Sequence, residues 1–135
     1  MGNIVVGYVP KPEGRAALRR AAEEARLRSA RLVVVNSHRG GREFDREDEI
    51  DTEKDLAEVR QELDDAGVDH EIRTLERGMD PADDLVNVAS EVSAEFIVIG
   101  LRRRTPVGKL ILGSNAQRVL LDAPCPVLAV KAEEE

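Results

Sequence analysis

The residues of this 135-residue chain best suited to chemistry lie near its C-terminal end. Gly113, Ser114 and Asn115 stand directly before a run with helical periodicity, and Gly100 lies within an apolar run that reads as a buried strand. A helix start offers unpaired backbone N–H groups and a partial positive charge, and a glycine before it lets an anion approach the main chain. Ser114 would add a hydroxyl to such a pocket. The same residues also suit a plain connection, in which Ser114 caps the helix and Gly113 turns the chain. Between the glycines, Arg102, Arg103 and Arg104 form a basic cluster in an otherwise acidic chain. Their guanidinium groups suit phosphate oxygens, or form a solvated run paired with nearby Asp and Glu. Lys109 fits either role.

Other catalytic chemistry finds little support. His38 ends an apolar run and His70 lies in an alternating one; neither has a Ser or Cys partner evident in the sequence, and both read as surface residues. Cys125, between Pro124 and Pro126, reads as a buried structural thiol rather than a nucleophile. There is neither a Walker lysine pattern nor a GxGxxG, so P-loop hydrolysis and dinucleotide redox chemistry are not indicated. No metal site held by the protein is expected, and a binding protein is indicated rather than an enzyme.

The elements that must position these residues follow from periodicity. Five β-branched runs, Asn3 to Val9, Arg31 to His38, Val68 to Glu76, Glu95 to Leu101 and Cys125 to Lys131, read as strands. Four are nearly continuous in apolar residues, as in strands covered on both faces, and the third alternates like an edge strand. Helical patterns intervene. Pro12 to Arg28 places Ala17, Leu18, Ala21, Ala22 and Ala25 on one stripe, with Pro12 in the first turn. Asp51 to Ala66 carries Leu56, Val59 and Leu63 and ends at Gly67. Asp80 and Pro81 open a third helix burying Leu85, Val88, Ala89 and Val92. Ser114 opens a fourth, with Ala116, Val119 and Leu120 facing inward. The charged, Gly-containing stretch from His38 to Glu49 reads as a surface loop. Alternating strands and helices with right-handed crossovers predict an α/β fold: a doubly wound, five-stranded parallel sheet in strand order 3-2-1-4-5 with helices on both faces. A ligand then belongs beyond the C-terminal ends of the first and fourth strands.

Composition narrows the partners. The formal net charge is -7 with 35% charged residues, which disfavours nucleic acid. Aromatics are few (Tyr8, Phe44 and Phe96), removing base-stacking platforms. One cysteine allows no internal disulfide, which fits a reducing cytoplasm. The start, "MGNIVVGYVP", shows no basic leader, its apolar run is short for a membrane span, and the myristoylation pattern is missing. Length fits one domain spanning residues 1–135.

The whole chain, from "NIVVGYV" to "LGSNAQRVLLDAPCPVLAVK", resembles the universal stress protein family, and the closing run is the most specific part. The resemblance implies an adenine nucleotide alpha hydrolase-like fold and binding of ATP or AMP by a signature of Gly, two residues, Gly, nine residues, then Gly with Ser or Thr. Gly100, Gly113 and Ser114 match that frame, while Arg103 stands at the second glycine. Arg103 adds bulk and charge where the chain would hug phosphate. The family's usual acidic residue after the first strand, an acceptor for ribose or base, is Val9 here. Tyr8 and Pro10 would form an apolar wall, and Ser37 matches a position lining the adenine pocket. A homodimer through the strand Cys125 to Lys131 is also implied; pairing two such outer strands would cover both edges. The expected role is a dimeric stress sensor or regulator. The departures at Val9 and Arg103 support a second reading, a non-nucleotide-binding member acting through protein-protein interaction. An adenylate-handling enzyme is the third, disfavoured by the missing acid/base pairs.

Overall fold

The computed structural model describes residues 2–38, 46–76, 80–101 and 113–132. Along the chain run β1 (Asn3–Gly7), α1 (Pro12–Arg28), β2 (Arg31–His38), α2 (Arg46–Asp65), β3 (His70–Glu76), α3 (Pro81–Glu91), β4 (Phe96–Leu101), α4 (Ser114–Asp122) and β5 (Val127–Lys131). The five strands form one sheet in the order β3-β2-β1-β4-β5, parallel throughout. The α/β fold expected from the alternating pattern is therefore the one observed.

Successive side chains of a strand point to opposite faces, and the core divides accordingly. Ile4, Val6 and Tyr8 of the first strand region, with Leu32, Val34 and Val98, pack under α1 and α2. Val5, Val33, Val35, Ile97 and Ile99 pack under α3 and α4. Helices α1 and α2 thus cover one face, and α3 and α4 the other.

Several boundaries differ from expectation for local reasons. β1 stops at Gly7 rather than Val9, because the Lys11 N–H turns back to the Val9 carbonyl at 2.8 Å. β3 starts at His70 rather than Val68: the Val68 N–H bonds to the Leu63 carbonyl at 3.0 Å, closing α2 beyond Gly67, whose φ of 72° is left-handed. β4 begins at Phe96 rather than Glu95, and β5 at Val127 rather than Cys125, just beyond Pro126. The segment His38 to Glu49 is not all loop, since α2 already begins at Arg46. On α4, Leu120 is 43% exposed rather than inward. The buried stripe runs through Ala116, Val119 and Ala123, leaving Leu120 on its flank.

The first turn of α1 is pressed onto the sheet. A Cβ at Gly100 on β4 would lie 2.0 Å from the Glu13 carbonyl oxygen, and one at Gly14 would lie 1.9 Å from the Val9 carbonyl oxygen. Main chain meets main chain at both places, so only glycine fits. Gly100→Ala should cost about 1–3 kcal/mol, the range for overpacking a well-packed site. Urea denaturation will measure it; a loss indistinguishable from zero contradicts this packing.

Candidate functional site

The β1–β4 ladder runs from Ile4–Phe96 to Val6–Val98 and stops there. β1 continues with β2 to Gly7–Val35, and β4 continues with β5 to Leu101–Lys131. The two central strands therefore part company at their C-terminal ends, and a cleft of about 180 Å³ opens between Gly7, Tyr8 and Val9 on one side and Ile99 and Gly100 on the other. Its apolar floor adds Val35, Leu85 and Val119. The volume is below the several hundred Å³ of a pocket enclosing a whole cofactor, so it suits the enclosure of one flat, apolar-faced group with the remainder of a ligand at the rim.

Three helix starts form the walls. Glu13 and Gly14 of α1 stand on one side of the sheet, and Pro81 and Ala82 of α3 with Asn115 and Ala116 of α4 stand on the other. Each start carries a partial positive charge, but their surroundings differ. α1 has Pro12 at its beginning and Glu13 in its first turn. α3 has Pro81 at its beginning and Asp83 and Asp84 in its first turn. Arg118 of α4 reaches across to α3, donating to Asp80 at 2.9 Å and to Asp83. α4 has neither a proline nor an acidic residue in its first turn, and its cap residue, Gly113, supplies no side-chain hydrogen bond. Among the described residues no side chain caps its first backbone N–H groups, which a helix leaves without intrahelical partners.

Of the residues singled out from the sequence, Tyr8, Val9, Gly100 and Asn115 line the cleft together. Gly113 and Ser114 adjoin it as the cap and first residue of α4. This reverses the expected division of labour: Gly113, not Ser114, is the cap, with φ of -69° and an extended conformation. Asp80 likewise caps α3 by position without a side-chain cap bond. Ser37 is the penultimate residue of β2, opposite Leu75 and one strand away from the parting of β1 and β4. Arg102, Arg103, Arg104 and Lys109 lie outside the described residues. Val35, Glu13, Gly14, Pro81 and Leu85 were missed, because no single motif contains them. The available signal was topological: in an alternating parallel fold every helix begins where a strand ends, so helix starts crowd the switch point.

Tyr8 is 2% exposed and serves two cavities. Tyr8 is among the residues lining the cleft, while its side chain packs under α1 and α2 and its hydroxyl donates to Asp55 Oδ2 of α2 at 2.6 Å. Arg15 holds the other carboxylate oxygen at 3.0 Å. Burial first, then the hydrogen bond to Asp55, drives the phenol well above its ordinary range. Elsewhere, His70 is half-buried rather than a surface residue, with Nδ1 at 2.9 Å from the Val68 carbonyl. Cys125 is half-buried rather than fully enclosed, and burial raises its thiol. Among the described residues no group of His, Cys, Asp and Glu could hold a metal ion, and no helix is long and apolar enough to cross a membrane.

The sequence matches the universal stress protein family over residues 1–131. This chain belongs to that family. A universal stress protein of Mycolicibacterium smegmatis is 44% identical over 128 residues, 95% of this chain and 96% of the relative. The solved universal stress protein of Archaeoglobus fulgidus is 42% identical, with a TM-score of 0.83 over 97% of this chain and 99% of that one. A second structure from the same organism, in complex with dAMP, is 37% identical, with a TM-score of 0.77 over 97% and 98% of the two chains. Within this universal stress protein the first signature glycine, Gly100, has a packing role of its own, against the Glu13 carbonyl.

The state of Tyr8 can be read directly, since it is the only tyrosine. Above about pH 10 an unfolded tyrosine ionises while the folded one keeps its proton. The unfolded state then binds fewer protons, so stability present below pH 10 is lost as pH rises toward the folded value. Ultraviolet titration should show delayed phenolate formation, and Tyr8→Phe should lose roughly 1–2 kcal/mol at neutral pH. A phenolate appearing at the pH of free tyrosine contradicts the buried Tyr8–Asp55 bond.

Proposed function

We propose that this universal stress protein binds an adenine nucleotide, ATP or AMP, in the cleft between β1 and β4 and works as a dimeric stress sensor or regulator, not as an enzyme. The observation that carries the reading is the start of α4: an uncapped, acid-free helix end at the rim of an apolar cleft. Phosphate accepts the N–H groups following Gly113, with Ser114 and Asn115 beside it. The base lies on the floor against Tyr8, Val9 and Val35, with Ser37 contributing to the adenine wall. Gly100 keeps α1 close enough to enclose it. Arg102 and Arg103 follow β4 in the sequence, outside the described residues, and their guanidinium groups are of the type that suits phosphate. The dAMP bound by a relative 37% identical supports this ligand class. The whole chain acts as one domain.

Calorimetry with ATP and AMP tests the reading. Aspartate is a favoured helix cap, so Gly113→Asp should fold at least as well as the original while placing a negative charge at the phosphate position. A weakening of roughly tenfold or more is expected from that charge. No heat from the unaltered protein at millimolar nucleotide contradicts the proposal. One observation favours the alternative of an interaction protein without a nucleotide: Val9, at the cleft rim, is 40% exposed and offers no acceptor. Nucleotide released from the freshly purified protein would refute that alternative.

The dimer reading rests on β5, an outer strand of the sheet. The Ile97 N–H bonds to the Pro126 carbonyl, and the Ala132 N–H bonds to the Leu101 carbonyl, each at 3.0 Å. Even-numbered residues of β5 therefore bond toward β4, and the N–H of Ala129 points to the open edge. Leu120 and Leu121, 43% and 83% exposed on the helix leading into β5, add apolar surface for a second copy. Ala129→Pro removes an outward N–H without touching the β4–β5 ladder. Light scattering should show a dimer for the original and a monomer for this variant; an unchanged mass contradicts pairing through β5.

A further inference from the structure

Among the described lining residues of the cleft, three have polar side chains: Tyr8, Glu13 and Asn115. The Tyr8 hydroxyl is committed to Asp55, and Asn115 belongs to the uncapped start of α4. Glu13 stands on the other face of the sheet, in the first turn of α1. Its main chain is fixed, because its carbonyl oxygen fills the space above Gly100 and the next residue, Gly14, abuts the Val9 carbonyl. Among the described residues its carboxylate has no ion-pair partner.

We infer that Glu13 is the specificity-determining residue of the cleft, accepting hydrogen bonds from the vicinal hydroxyls of a ribose; this rests on the nucleotide reading above. A carboxylate has only acceptor oxygens. It repels phosphate and attracts donors, so the two walls have opposite preferences: anion at α4, donor at α1. A nucleotide with its base on the apolar floor and its phosphate at α4 holds its sugar at the rim between them. The sugar hydroxyls are the donors that reach the α1 wall. Bonds from hydroxyls to a carboxylate are charge-assisted and stronger than neutral ones, and leaving the acceptor unmatched disfavours a sugar without hydroxyls.

Calorimetry with AMP, 2′,3′-dideoxy-AMP and IMP, on the unaltered protein, Glu13→Gln and Glu13→Ala, tests this assignment. The unaltered protein should prefer AMP to the dideoxy analogue by roughly tenfold, the scale of one charge-assisted bond. Glu13→Ala should abolish that preference by weakening AMP alone, with the dideoxy compound bound as well as before or better. Glu13→Gln, which keeps an acceptor oxygen without the charge, should retain part of it. An unchanged AMP to dideoxy ratio in Glu13→Ala overturns the inference, including the case in which both ligands weaken equally through a structural effect. Loss of AMP over IMP discrimination instead would place the carboxylate at the base amino group and overturn it as well. If the unaltered protein binds none of the three, the nucleotide reading itself fails and this inference falls with it.

Discussion

The carbonyl oxygens of Val9 and Glu13 occupy the volumes that side chains would need at Gly14 and Gly100. This double main-chain contact sets the depth at which α1 begins, and the geometry of the cleft follows from it. With any larger residue at Gly100 the helix start would stand off from β4 and the wall carrying Glu13 would move. The parting of β1 from β4 after Val6–Val98 opens the space, and the glycine contact decides how wide one side of it is. Overpacking costs more than a lost surface contact, which makes these two positions the most constrained around the cleft.

Charge then distinguishes the walls. Helix starts bring positive potential by construction, but Asp83 and Asp84 stand in the first turn of α3, with Asp83 tied to Arg118, while Glu13 offsets α1. The start of α4 is left uncompensated. On the proposed reading the cleft has one anion-accepting rim, one acceptor-bearing rim and an apolar floor. Tyr8 connects this cleft to α2 through Asp55 and Arg15, so one residue serves both as lining and as a tie between two layers of the fold.

Much of the fold was legible in the residues. Continuous runs such as Ile4 to Val6 and Ile97 to Ile99 mark strands covered on both faces, as in a parallel sheet flanked by helices, and Pro12, Gly67 and Pro81 punctuate helices through well-understood backbone preferences. The start of α2 was hidden because Arg46 to Glu49 has charge without apolar periodicity. Leu120 was misassigned because a short helix admits two stripes offset by one residue. The site was legible where it lay in one segment, as with Gly100 and Gly113 to Asn115. Glu13, Val35 and Leu85 come from three other segments, and only the parting of β1 and β4 brings them together. Gly100 was noticed for its spacing from Gly113, yet its packing role depends on Glu13 at the start of α1, far away in sequence.

The central claim is that the uncapped start of α4 receives the anionic end of a nucleotide whose base rests on the floor of the cleft. Amide chemical shifts of the isotope-labelled protein during titration with AMP measure this most directly. The account predicts the largest changes at the N–H groups of Ser114, Asn115 and Ala116, accompanied by Tyr8, Val35 and Leu85. Saturable changes confined to another surface, or none at all, would contradict it.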